Sequence, residues 1–93
     1  MDVRYYIDPE TDQPHIDRHR VIEREVEEVL RRPLEDRPGR KGSRIALGQT
    51  QAGRYRRVIY VPDPRPDSVF VVTAYQLGPN TLRALRRRRR RRR

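Results

Sequence analysis

The chain has 93 residues, which is enough for one domain of ordinary size and no more. It contains no cysteine, which excludes disulfides, thiolate metal ligands and a cysteine nucleophile. The 23 lysines and arginines outnumber the 13 aspartates and glutamates, and the resulting net charge of +10 favours a polyanion as the partner.

The positive charge is unevenly distributed along the chain. Residues 86–93 are eight consecutive arginines, and without them the balance falls to 15 minus 13, or +2. Eleven of the 13 acidic residues lie between Asp2 and Asp36, whereas the seven basic residues from Arg37 to Val61 have no acid among them. This separation predicts a surface that binds nucleic acid. The alternative is a solvated surface that carries a charged tail.

The sequence lacks the features of a membrane or exported protein. No apolar run approaches the ~18 residues that a membrane-spanning helix needs. The N-terminal residues Met1 to Arg4 do not lead into the apolar core of a signal peptide. We therefore expect a cytoplasmic protein with no membrane partner, and the lack of cysteine fits a reducing compartment.

The N-terminal third of the chain predicts one strand and two helices. Val3 to Ile7 alternates and is followed by Asp8-Pro9, which predicts a short strand. A short helix is predicted from Asp12 through His19, with a proline in its first turn. A longer helix ends at Pro33. Its apolar stripe consists of Ile22, Val26, Val29 and Leu30.

The rest of the chain predicts a three-stranded meander and a last helix. The strands are expected over Ser43 to Gln49, Tyr55 to Val61 and Val69 to Tyr75, with turn residues and prolines between them. The third strand is almost wholly apolar and β-branched, which favours the centre of a sheet. A helix is expected to begin at Thr81, and its leucines would face the core.

This order of elements predicts a single α+β domain over residues 1–85. We expect a small antiparallel sheet, formed by the N-terminal strand and the meander, packed by two N-terminal helices and a short C-terminal helix. Residues 86–93 repel one another and add no apolar area, so we expect this arginine tail to be disordered, or helical only when bound.

Four short motifs occur in order along the chain. They are Tyr6-Ile7-Asp8-Pro9, Arg18-His19-Arg20-Val21, the series Arg44, Gly48-x-Thr50 and Gly53-Arg54, and Val72-Thr73-Ala74-Tyr75. Over roughly residues 5 to 85 the set resembles the BrnT toxins of the wider RelE-like ribonuclease superfamily. The corresponding motifs of that family read aromatic-x-Asp-Pro, Lys-His-Gly-Val, Arg with Gly-x-Thr and Gly-Arg, and Ile-Ser-Ala-Arg.

The chain departs from the family pattern at three places. Arg20 stands where the family has glycine, Tyr75 stands where it has arginine, and polyarginine follows where it has a helix rich in Glu and Arg. Short stand-alone relatives of uncharacterised function share the histidine, the Gly-Arg hairpin and the Thr-Ala-Tyr ending. The chain is therefore similar both to the toxins and to these relatives.

The resemblance implies a metal-independent endoribonuclease toxin, which forms a toxin–antitoxin pair with a small antitoxin protein encoded nearby. Its partner would be RNA, cleaved by attack of a 2′-hydroxyl on the adjacent phosphate, which needs a base, an acid and a cation. His19 is the candidate for proton transfer, because imidazole titrates near neutral pH. Arg44 and Arg54 are the candidate phosphate clamp, because guanidinium binds phosphate bidentately. Tyr75 is the candidate for contact with RNA.

Further RNA-binding candidates are Arg40, Lys41, Arg56 and Arg83. Each candidate also has an ordinary structural reading, such as a packing histidine, a solvated strand face or a rim aromatic. The alternative function is a non-catalytic module of the same fold that binds nucleic acid or protein. His15 and His19 are spaced i, i+4, which suits a metal, but nothing completes a ligand set, so we expect neither metal nor cofactor.

Overall fold

The structure is organised around a five-stranded mixed sheet. The computed structural model describes residues 1 to 91. In chain order its elements are β1 (Asp2–Tyr5), β2 (Ile7–Asp8), β3 (Gln13–Pro14), α1 (Glu23–Arg31), β4 (Glu35–Pro38), β5 (Arg44–Gln49), β6 (Tyr55–Pro62), β7 (Ser68–Gln76) and α2 (Pro79–Arg91). The strand order in the main sheet is β1-β7-β6-β5-β4, and β2 pairs with β3 in a separate two-stranded ribbon.

The prediction of a wholly antiparallel sheet is wrong, because β1 runs parallel to β7. The other neighbouring pairs of the main sheet are antiparallel. The sheet also has a fifth strand, β4, in a segment for which no strand was predicted. Glu35, Asp36 and Arg37 are tolerated in β4 because it is an edge strand, and Pro38 stands at its end.

The prediction of two N-terminal helices is also wrong. The first of them is replaced by the β2–β3 ribbon and by a 3-10 turn, His15–His19. Asp12 has a φ of +57°, which is incompatible with a helix, and Pro14 pairs with Ile7 in the ribbon. Only Ile16 of the turn is buried, so this segment has too little apolar surface for a second packed helix.

One face of the sheet is covered by α1. The larger core cluster consists of Ile16, Val21, Val26, Val29, Ala46, Val58, Tyr60, Val71 and Ala74. Gly48 lies directly beneath the helix, since a Cβ atom built on it would be 3.0 Å from Cγ1 of Val29 and 3.4 Å from its Cα. The absence of a side chain at Gly48 therefore sets how closely α1 approaches β5.

Part of the opposite face is covered by α2. A second core cluster joins Leu47, Leu77 and Leu85, and partly buried Tyr55 packs against it. The arginine run was expected to be disordered, or helical only when bound, whereas the structure continues α2 through Arg91, and Arg92 and Arg93 lie outside the described residues. The two carboxylate oxygens of Glu35 accept hydrogen bonds from Arg88 at 2.6 and 2.8 Å, which fastens this part of the helix to β4. None of the helices within residues 1–91 combines the length and the apolar character needed to cross a bilayer.

Gly48→Ala is expected to destabilise the protein by about 1–3 kcal/mol, because the added methyl group overpacks against the backbone side of Val29. The measurement is urea unfolding followed by circular dichroism. Gly78→Ala is the matched control, since a Cβ atom at Gly78 meets no atom within 4 Å. An equal loss of stability in the two variants would contradict the close approach of α1 and β5.

Arg20→Gly is expected to raise the free energy of unfolding by up to about 1 kcal/mol. Arg20 ends the 3-10 turn in the left-handed region, with a φ of +58° and ψ of 33°, which is costly for any residue with a Cβ. Arg24→Gly, at an exposed position inside α1, should instead lower it by about 1 kcal/mol. Urea unfolding measures the change in the free energy of unfolding for each variant, which should be positive for Arg20→Gly and negative for Arg24→Gly. A loss of stability in both variants would contradict the strain at Arg20.

Candidate functional site

Two of the four predicted catalytic residues, His19 and Tyr75, lie side by side. β1 pairs with β7 only as far as Val71, so the second half of β7 has no strand on that side. The 3-10 turn contacts β7, and the ring centroids of His19 and Tyr75 are 5.6 Å apart. His19 is exposed and Tyr75 is half-buried, so the contact is open to solvent.

The contact is part of a longer row of rings. The ring of His15 packs edge-on against His19 with a centroid distance of 5.4 Å. The ring of Tyr6 lies 6.1 Å from that of His15. We call Tyr6, His15, His19 and Tyr75 the aromatic row. It brings two imidazoles within reach of one small ligand.

Asp8 orients His15. Its buried carboxylate lies 3.3 Å from Nδ1 of His15, and it also forms an ion pair with Arg18. The backbone N–H of Glu10 donates a hydrogen bond to Asp8 at 2.9 Å and is the main cause that lowers the pKa of this carboxyl. His15 and Arg18 lower that pKa further. An ionised Asp8 favours the tautomer of His15 that carries its proton on Nδ1, which leaves Nε2 for proton transfer.

Arg57 lies at the other end of the row. It is the cross-strand partner of Tyr75. Its Nη1 donates a hydrogen bond to the Tyr75 hydroxyl at 3.2 Å, and its Cζ lies 5.6 Å from the centre of the ring. The Nε of Arg57 is buried, and within residues 1–91 it has neither a hydrogen-bond acceptor nor a carboxylate partner for its charge. A buried donor without a partner is costly. The Arg57 side chain as a whole is half-buried, so an oxyanion can approach its terminal nitrogens from solvent.

The structure does not bring Arg44 and Arg54 together. Arg44 begins β5 opposite Tyr60, whereas Arg54 precedes Tyr55, which is opposite Gln49. The two positions are therefore six residues apart in register, or about 20 Å along the hairpin. Antiparallel strands start at opposite ends of a hairpin, so two arginines at strand starts cannot form one clamp. Neither arginine contacts the aromatic row.

Arg44 is held by an acidic partner. Its Nε donates to Asp36 at 2.8 Å, and this hydrogen bond is the main cause that raises the pKa of the guanidinium. The same carboxylate accepts a hydrogen bond from the Tyr60 hydroxyl. Burial, together with the smaller effect of the bond to Asp36, raises the pKa of Tyr60 to about 12. Arg44 therefore stabilises the β4–β5 edge.

Arg54 and Arg56 both face Glu25. Arg56 was expected to bind RNA but is only 8% exposed, with its Nη2 at 3.4 Å from Glu25. Nη1 of Arg54 lies 3.6 Å from the same carboxylate. Glu25 also accepts a hydrogen bond from the backbone N–H of Ile22 at the start of α1. Arg56 therefore forms a buried structural ion pair, and a surface role is excluded for it.

The other RNA-binding candidates lie on exposed segments away from the aromatic row. Arg40 and Lys41 are exposed in the β4–β5 loop, and Arg83 is exposed on α2. The structure places no contact between these three and the row among residues 1–91. In the same part of the chain, no group of three or more His, Asp or Glu side chains has a geometry that could hold a metal ion.

Fold and site together define a small α+β domain with a partly exposed cluster of two histidines, a tyrosine and an arginine at a sheet edge. The model of a family described as a domain of unknown function, DUF4258, matches residues 15–76, and the chain belongs to that family. The match includes His15, His19, Arg57 and Tyr75, whereas Asp8 lies outside it. No curated protein matches the chain, and neither does any solved structure.

Asp8→Asn is expected to reduce the loss of stability on acidification. The pKa of Asp8 is lowered in the folded protein, so its stabilising effect is present above the pKa of the unfolded chain and is lost as pH falls through the lower folded value. The measurement is the urea midpoint across the acidic range. Asp12→Asn is the control, because Asp12 is exposed in the same turn and forms no ion pair within residues 1–91. Identical pH profiles of the two variants would contradict the prediction.

Proposed function

We propose that the protein is a metal-independent endoribonuclease whose active site is the aromatic row together with Arg57. This is the activity that the resemblance to the BrnT toxins implies. The proposed site keeps His19 and Tyr75 from the sequence prediction and replaces the two predicted arginines with Arg57. The observation that supports it most directly is that His19 and Arg57 both contact Tyr75. A proton-transfer group and a cation for phosphate are thus separated by one ring.

The reaction would proceed by attack of a 2′-hydroxyl oxygen on the adjacent phosphorus. One imidazole takes the hydroxyl proton, and the other gives a proton to the 5′ oxygen that leaves, so the products are a 2′,3′-cyclic phosphate and a 5′-hydroxyl. His15 and His19 supply these two groups. Arg57 stabilises the negative charge that develops on the phosphoryl oxygens. Tyr75 holds Arg57 in place through its hydroxyl.

In this proposal the protein acts in the cytoplasm as the toxin of a toxin–antitoxin pair. The row is exposed at His19 and the unpaired guanidinium of Arg57 lies beside it, so an antitoxin would inhibit by covering this edge with acidic side chains. The proposed partners are therefore RNA and a small antitoxin protein.

His19→Ala and Arg57→Gln are each expected to lower kcat/KM for RNA cleavage by about 10²- to 10⁴-fold, because each removes a group that acts in the transition state. The assay uses purified protein, end-labelled RNA and EDTA, and analyses the product ends for a cyclic phosphate. Arg24→Gln is the control, since it removes one exposed charge from α1 on the other side of the sheet. Absence of cleavage by the natural protein would reject the enzyme, and undiminished cleavage by His19→Ala would reject this site.

A second candidate function is RNA binding without cleavage. It is favoured by the arginines of α2, which form a positively charged helix whose position is fixed by the Arg88–Glu35 pair. It predicts binding that weakens strongly with salt, because each phosphate contact releases counterions. In the cleavage assay this function would appear as retarded but intact RNA.

A further inference from the structure

A groove of about 320 Å³ lies between α2 and the sheet, on the same side as Arg57. Its apolar lining includes Leu34, Tyr55 and Leu85, and its exposed lining includes Arg86, Arg89 and Arg90. The aromatic row does not take part in it. An apolar wall with an aromatic ring, bordered by three cations, has the composition of a site for a base and its phosphates.

We propose that this groove is a subsite for one nucleotide of single-stranded RNA, whose base stacks on Tyr55 and whose phosphate contacts the arginines of α2. The proposal rests on the proposed function for the choice of RNA and extends it by a second binding position. It does not require cleavage, so binding and catalysis can be tested apart.

The groove and the candidate active site share a strand face. Tyr55 and Arg57 are two residues apart in β6, so their side chains project to the same side about 7 Å from each other. A strand of RNA that places one phosphate at Arg57 therefore has its next nucleotide near Tyr55. Arg86 of α2 lies over the Tyr55 ring, and Arg88 and Arg89 of the same helix reach Glu35 and Leu34 on the other side of β5.

The ring of Tyr55 already accepts a flat cationic group. The Cζ of Arg86 lies 5.5 Å from its centroid. Within residues 1–91 the guanidinium of Arg86 has no carboxylate partner, in contrast to Arg88, which is bound to β4. A guanidinium that rests on a ring and is not held by an acid can move aside for a base or stack on it.

The charge on this helix is held in place before RNA arrives. Arg88 is anchored by two hydrogen bonds to β4, and Nη1 of Arg89 donates to the carbonyl oxygen of Leu34 at 3.3 Å. An anchored helix loses less conformational entropy on binding than a disordered tail does. A single-stranded nucleic acid supplies both a base for the Tyr55 ring and phosphates for the arginines that border the groove.

The test is a binding titration with two fluorescent single-stranded oligomers. The first is a short 2′-O-methyl RNA, which cannot be cleaved because its 2′-hydroxyls are blocked. The second is an abasic oligomer of the same length, which carries the same phosphates and no bases. Fluorescence anisotropy at low salt gives the Kd of each oligomer for the natural protein, Tyr55→Phe, Tyr55→Leu, Arg86→Gln and Arg87→Gln.

We expect the natural protein and Tyr55→Phe to bind the RNA more tightly than the abasic oligomer. Tyr55→Leu should raise the Kd for the RNA by roughly 5- to 100-fold and leave the Kd for the abasic oligomer unchanged. Arg86→Gln should weaken binding more than Arg87→Gln, which removes the same charge from the adjacent position, about 100° around the helix and outside the groove.

Equal affinity of the natural protein for the two oligomers would overturn the subsite, and this comparison needs no variant that must fold. Equal effects of Arg86→Gln and Arg87→Gln would also overturn it, because they would show attraction to charge alone. Since neither oligomer can be cleaved, these results are independent of the cleavage assay. If the protein binds the oligomers as expected but cleaves no RNA, the proposal of a nucleotide subsite stands and the proposed catalytic function is rejected.

Discussion

The site depends on the pairing of β6 with β7, and on the early end of β1. The register of β6 and β7 sets Arg57 opposite Tyr75. β1 stops at Tyr5, so the rest of the β7 edge is available to the 3-10 turn that carries both histidines. An exposed strand edge is normally a liability that proteins cover with other elements. Here the covering element brings in the imidazoles, which is why the site forms at this edge.

Two groups of arginines in this chain have different physical consequences. Arg44, Arg56 and Arg88 each lie against a carboxylate, and their charges serve to join elements of the fold. Arg57 and Arg86 instead lie against tyrosine rings and have no acidic partner within the described part of the chain. Counting basic residues along the sequence cannot separate the two groups, because the acids that neutralise the first group lie on other elements and are brought to them by strand pairing and helix packing. A cation without such an acid is the one that can still bind phosphate.

Some elements could be predicted from local pattern, and others could not. Helix α1 and the three strands of the meander were predicted correctly, because each is specified by its own periodicity. Of the predicted stripe, Val26 and Val29 are buried, whereas Ile22 precedes the helix and is exposed. The parallel pairing of β1 depends on where the chain returns to the sheet, which no local pattern contains. β4 is too polar to be recognised as a strand, and it is stabilised by contacts with distant segments, namely its pairing with β5 and the bonds of Arg88 to Glu35. The ribbon that replaced the first helix depends on the positive φ of Asp12.

The residues of the candidate site were also predicted only in part from the sequence. His19 and Tyr75 were found through the family motifs, and the structure places them in contact. His15 was noticed only as a metal spacing, although its partner Asp8 stands in the aromatic-x-Asp-Pro motif. Arg57 was missed because both faces of β6 carry an arginine among apolar residues. Alternation alone therefore leaves open which of the two arginines is buried.

Glu25 favours the register in which Arg56, and not Arg57, is buried under α1. A slip of one residue in β6 would exchange the two faces, moving Arg57 under α1 and Arg56 to the ligand side. A buried guanidinium needs an acid, and the structure supplies one at Arg56, where Glu25 is itself only 4% exposed and also accepts a hydrogen bond at the start of α1. The pair thus adds specificity for one register beyond what the apolar residues of β6 provide. Since that register also aligns Tyr55 and Arg57 on the opposite face, a structural ion pair under the helix determines which cations face the candidate RNA surface.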